Sequence, residues 1–336
     1  MNKDNNFAFI HIMAATLVVL GHQYTLLGSV PPTLLGIDLN GLGVKILFLV
    51  SGYLVSASYL RSGSALHYVK RRLSRLYPPL FVCLIVTVVV LRLVTTTPEN
   101  YWRGAVRYVL NNLEMRPKYD LNGVFTDNPY PVGVNGSLWT IPIEMACYLL
   151  LIPLMEIYKL LLSHSRKLGQ TFVIAICAAV SAAEGLHHYY SYDVVSVFWN
   201  VDWVSGLLLC SFFWTGVMFQ LLDLKRICNL QAAAVITAIY LCFSSDLYLL
   251  MPYVIGYLVI SFALADKPLF SRLIKRDVCY GLYLYAFPVQ QLMIWLIYVK
   301  NGAHASVFLM FALSLCITWI LAEINYYCLE RPKLHR

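Results

Sequence analysis

The stretch FAFIHIMAATLVVLGHQYTLL, residues 7–27, decides the fold. At 1.5 Å per residue it reaches about 30 Å as a helix, the thickness of a bilayer's hydrocarbon core. It contains no Lys, Arg, Asp or Glu, yet it carries His11 and His22. Polar groups in a membrane span face the interior of a helical bundle, where a neighbour can hydrogen-bond them. Eleven positions at 100° each return to nearly the same helix face, so both imidazoles can line one internal channel, about 16 Å apart. Each can serve as a packing group or as a working one.

Working outward, the 336 residues are 60% hydrophobic and only 12% charged, with a mean hydropathy of +0.67. Soluble domains carry about 25% charged residues, so this composition defines an integral membrane protein. The apolar runs are continuous rather than alternating, which excludes a barrel. The predicted fold is therefore all-α, a bundle of about ten transmembrane helices at 7–27, 42–60, 78–96, 137–162, 170–186, 200–222, 231–245, 248–265, 279–300 and 305–328, with a possible break within 186–222. The first run passes straight into further spans and reads as an uncleaved helix, not a signal peptide. Nine cysteines scattered through apolar runs form no C-x-x-C pair, which argues against a disulfide framework or a metal site.

The charge pattern sets the expected orientation. Of 25 Lys and Arg, 18 fall at the N-terminus, in the even-numbered gaps and in the tail, against five in the odd-numbered gaps. Basic residues mark cytoplasmic loops, so both termini are expected in the cytoplasm. The net charge of +8 thus reports topology, and nucleic acid is not an expected partner. The whole chain reads as one transmembrane domain with an external loop at about 97–136. No internal repeat of the kind that marks secondary transporters is visible.

Three constellations can carry chemistry. Glu144 lies in the apolar run following NGSLW (135–139), and helix rise puts it and His22 at one expected level near the outer face. A carboxylate beside an imidazole fixes its tautomer and raises its basicity, which would make a general base for a hydroxyl; a structural hydrogen bond between helices is the alternative. Arg71, Arg72 and Arg75 in YVKRRLSRLYPPL (68–80) cluster on a helix surface at the cytoplasmic entrance. Guanidinium groups grip phosphate bidentately, although such residues also contact lipid headgroups. Ser51 in FLVSGYL (48–54) reads as a packing residue beside Gly52. Glu184, Asp202 and Glu323 are further polar groups of no assigned rank.

HIMAATLVVLGH (11–22), FLVSGYL (48–54), RRLSR (71–75), GSLWTIPIE (136–144), YGLYLYAFPVQQ (280–291) and LERP (329–332) in this order resemble the acyltransferase-3 family, membrane O-acyltransferases of surface polysaccharides and related glycans. The resemblance implies a multi-pass protein of the bacterial inner membrane that moves an acetyl or other short acyl group from cytoplasmic acyl-CoA to a hydroxyl of an extracytoplasmic or lipid-linked glycan. It implies acetyl-CoA as donor and no metal. Carried over position by position, it makes His22 and Glu144 catalytic and places Arg71, Arg72, Arg75 and His11 at the donor. Trp139, Ser137 and Asn135 would fall at the acceptor. The family position at 11 is usually arginine. Histidine has fewer donors, so a donor grip there would be weaker or pH-dependent. A glycan or lipid transporter, or a membrane scaffold, would use the same polar residues without coenzyme A.

Overall fold

Eleven α-helices are found in the described part of the computed structural model, which covers residues 5–131, 133–190, 197–243, 247–265, 270, 274 and 276–330. They are α1 (Phe7–Leu26), α2 (Leu39–Ser62), α3 (Ala65–Leu91), α4 (Tyr101–Leu113), α5 (Thr140–His164), α6 (Arg166–Tyr190), α7 (Trp203–Leu221), α8 (Leu230–Cys242), α9 (Met251–Ala263), α10 (Cys279–Ile294) and α11 (Val307–Asn325). Strand is confined, among the described residues, to two hairpins: Thr33–Leu34 with Ile37–Asp38, and Val197–Phe198 with Val201–Asp202. Lys3, Lys267, Arg272, Lys275, Arg331, Lys333 and Arg336, which contribute to the charge asymmetry, lie outside the described residues, as does part of LERP.

Eight of these helices are long and apolar enough to cross a membrane, where the sequence predicts ten. The runs at 231–245 and 248–265 form α8 and α9, of 13 residues each. Thirteen residues span about 20 Å, so by length alone these two helices fall short of the hydrocarbon core. The expected break within 186–222 is present: the second hairpin precedes α7, which starts at Trp203. Helix α3 begins 13 residues before the predicted span, because the Ser64 side chain caps it by accepting from the His67 amide. The arginine cluster is thus part of a continuous helix that also contains Pro78 and Pro79.

Glycines set the closest crossings. A Cβ on Gly52 of α2 would lie 2.0 Å from the Phe213 carbonyl oxygen of α7, and one on Gly216 of α7 would lie 2.0 Å from the Leu49 carbonyl oxygen of α2. Small residues permit such approach where no hydrophobic force drives helices together. Alanine at Gly52 is expected to force these backbones apart and cost about 1–3 kcal/mol. A lowered melting temperature of the detergent-solubilised variant checks this; an unchanged one refutes the close crossing. Helix α1 runs antiparallel to α2 in the same manner, with Gly21 against Asn40 and Gly43 against Ala14 and Val18.

The segment 97–136 packs down onto the bundle. Tyr101 and Tyr108 of α4 are fully buried, and the Tyr101 hydroxyl donates to the Val88 carbonyl of α3 at 2.5 Å. Gln291 of α10 donates to the carbonyls of Tyr130 and Gly133 at 2.8 and 2.7 Å, and Asn135 donates to the Leu284 carbonyl at 2.9 Å. These bonds satisfy irregular backbone that lipid could not, and they sink the start of α5 into the protein.

Candidate active site

Helices α1, α2, α3, α5 and α10 enclose a narrow cavity of about 80 Å³ whose polar lining includes His11, Ser51, Arg75, Glu144, Tyr148 and Tyr280. Glu144 accepts a hydrogen bond from the Tyr148 hydroxyl one turn further along α5. That hydroxyl in turn pairs with Ser51 Oγ at 2.9 Å. The chain Ser51–Tyr148–Glu144 gives the intramembrane carboxylate its partner, and Ser51 is a cavity residue rather than the packing residue expected. Arg72 and Arg75 are the cations beside Tyr148, and Asp277 and Glu330 are further charges around Arg75.

His11 Nδ1 lies 2.6 Å from Asp277 Oδ2, a hydrogen bond between α1 and the residue two positions before α10. Asp277 Oδ1 also accepts from the Cys279 amide. Partial burial opposes ionisation of this carboxyl, but the His11 charge and hydrogen bond, the Arg75 charge and the Cys279 amide outweigh it and hold it at about 2. A carboxyl lowered by folding stabilises the protein above its unfolded value, near 3.9, and loses that contribution as pH falls through about 2. The pair's carboxylate is therefore ionised throughout the neutral range. Replacing Asp277 by asparagine removes the lowered carboxyl and is expected to flatten the loss of stability as pH falls from about 4 towards 2. Melting temperatures of the solubilised variant across that range check this, and a profile superimposable on the parent's refutes it.

The arginines differ in their surroundings. Arg75 lines the cavity. Arg72 stacks over the rings of Tyr68 and Tyr148 at 5.9 and 5.8 Å, with its buried Nε left without a partner. Arg71 and Arg75 are both exposed, but Arg71 does not border the cavity.

The expected His22–Glu144 pair does not form. His22 meets the edge of Phe287, ring centroids 5.2 Å apart, and its buried Nδ1 has no hydrogen-bond partner. A Cβ on Gly136 would touch that same Phe287 ring at 2.7 Å, so His22 lies level with Gly136. Glu144 is eight residues deeper, about 12 Å along the helix. The antiparallel register of α1 and α2 places Ser51, and with it Glu144, level with His11 instead. The reason is the burial of the segment that leads into α5. Asn135 and Ser137 are 0% and 1% exposed, so the helix begins inside the protein rather than at the membrane surface.

Asn135, Ser137 and Trp139 stand at this buried start. Asn135 Oδ1 accepts from the Ser137 amide of the 3-10 turn Gly136–Trp139. Ser137 Oγ is buried without a partner. Its carbonyl accepts from the hydroxyls of Tyr283 and Thr140, which also pair with each other at 2.7 Å. Trp139 faces a second, outer cavity of about 650 Å³. Its neighbour Thr140 lines the inner one, so consecutive residues border both. Of the unranked polar groups, Asp202 caps α7 and lines the outer cavity, Glu323 accepts from Arg276 at 3.3 Å, and Glu184 is buried. Sequence reasoning missed Asp277, Tyr148 and the Tyr280–Tyr283 pair; an acid two residues ahead of an apolar span was the available signal for the first.

The profile of the acyltransferase-domain family matches residues 7–323. The chain belongs to the acyltransferase-3 family. It is 28% identical over 355 residues to an O-acetyl transferase of Shigella phage Sf6, covering 100% of this chain and 98% of that protein. It is 27% identical over 370 residues to nodulation protein 10 of Rhizobium leguminosarum bv. viciae, covering 98% and 93% respectively. No solved structure matches.

Proposed function

We propose that the protein moves an acetyl or other short acyl group from cytoplasmic acyl-CoA to a hydroxyl of an extracytoplasmic glycan, across a bacterial inner membrane, with both termini in the cytoplasm. The observation that carries this reading is the pair of cavities meeting at Trp139 and Thr140. Arg72 and Arg75 would hold the phosphates of the donor, and its thin pantetheine arm would follow the narrow inner cavity past His11. His11 is held by Asp277 at 2.6 Å, so its ring is fixed at the position where the family usually has arginine. His22, which lies beside Phe287 and is not among the residues lining either cavity, would take the proton of an attacking hydroxyl that reaches its partnerless nitrogen. The freed oxygen attacks the thioester carbonyl, the C–S bond breaks, and coenzyme A leaves with a proton. Glu144, being at the His11 level, would act on the donor side rather than on His22.

Binding of coenzyme A to the solubilised protein tests the reading; a glycan transporter or a scaffold would bind none. Replacing Glu144 by glutamine keeps an oxygen for Tyr148 but removes the charge beside Arg75. Acyl transfer is expected to fall about 10- to 100-fold, the worth of one hydrogen bond to a charged group. Full activity in that variant would leave Glu144 a packing residue.

A further inference from the structure

The outer cavity rests on three pieces. Its floor is Trp139, one wall is the segment 117–120, and the other is the hairpin Val197–Asp202 with the first turn of α7. The walls are tied together: Asn200 Nδ2 donates to the Pro117 carbonyl and the Tyr119 hydroxyl donates to the Asn200 carbonyl, each at 3.3 Å. An indole beside side-chain amides, a carboxylate and a hydroxyl suits a ring that is apolar on its face and hydroxylated at its edge. Asn111, Asn200, Asp202 and Ser205 supply the edge partners.

The charges in the cavity are already committed. Lys118 Nζ is held by both oxygens of Asp120, at 2.8 and 2.9 Å. Asp202 accepts from the Val204 and Ser205 amides and from the Ser205 hydroxyl. Arg116, the nearest further cation of this segment, lies over the Trp199 ring on the rim. An anionic ring entering here would meet two carboxylates and a lysine that is not free to answer it. We propose that this cavity is a binding subsite for one neutral sugar ring, stacked on Trp139, and that the Lys118–Asp120 pair sets its selectivity against anionic sugars such as uronic acids. This rests on the glycan-acceptor reading above and specifies its substrate.

Saturation-transfer NMR on the solubilised full chain, with a panel of neutral and uronic-acid-containing oligosaccharides, tests it. Neutral members of the panel should bind and their uronic counterparts should not. Replacing Trp139 by alanine should weaken the neutral ligands by at least about tenfold, the usual effect of truncating a buried tryptophan anchor. Asp120→Asn, an exposed change with little call on folding, releases Lys118 and should raise the uronic-to-neutral affinity ratio by at least about fivefold. Binding that ignores Trp139→Ala, an unchanged ratio in Asp120→Asn, or no neutral ligand bound at all would each overturn the proposal. Coenzyme A binding is measured on the same samples. Its loss with sugar binding intact would fail the acyl-transfer reading and leave the subsite standing; the reverse result would do the opposite.

Discussion

Alanine in place of His22 is expected to lower acyl transfer about 100- to 10,000-fold, the range supplied by a positioned general base. His22 stands beside Phe287, level with the start of α5, and its Nδ1 is buried without any partner. A buried polar atom left unsatisfied costs stability, and the alanine variant no longer carries that cost. Removing it should therefore leave the fold at least as stable while abolishing turnover. Transfer of labelled acetyl to glycan in membrane vesicles, with insertion and melting measured alongside, separates the two effects. A variant that is active, or that is inactive because it fails to fold, would return His22 to a packing role.

Alanine in place of Arg75 is expected to weaken coenzyme A by about 10- to 100-fold, since a hydrogen bond to a charged group contributes roughly 1.5–3 kcal/mol. The loss should appear in the donor requirement, not in the glycan requirement. Arg72→Ala should follow in the same direction, because its guanidinium is turned inward between Tyr68 and Tyr148. Arg71→Ala should change little, because that side chain is exposed and does not line the cavity. Isothermal titration with coenzyme A distinguishes this ordering from a headgroup role, in which all three would behave alike.

The class of fold was legible in the sequence because hydrophobicity and length decide what can cross a bilayer. The boundaries were not, because they depend on what caps each helix. Ser64 starts α3 early, and the segment that leads into α5 draws its first turn into the protein. That second effect undid the expected meeting of His22 with Glu144. Helix rise gives depth along one helix correctly, but it needs a common zero, and a lid of folded protein moves that zero. The two histidines kept their spacing since they share a helix. Contacts between distant segments stayed hidden for a simpler reason: His11 and Asp277 are separated by 266 residues, and no local pattern links them. Ser51 was readable as a small residue beside a glycine, but its hydroxyl's partner is on another helix.

The backbone crossing at Gly52 and Gly216 has a mechanical consequence. With carbonyls pressed against Cα atoms and no side chain between them, α2 and α7 cannot slide or tilt independently and behave as one stiff beam. The wall bearing Ser51 belongs to that beam. Helix α3 across the cavity is the compliant side: Pro78 and Pro79 lack the N–H groups that would stiffen the turn carrying Arg75. Breathing of the inner cavity falls to α3, and Arg75 rides on the part that gives.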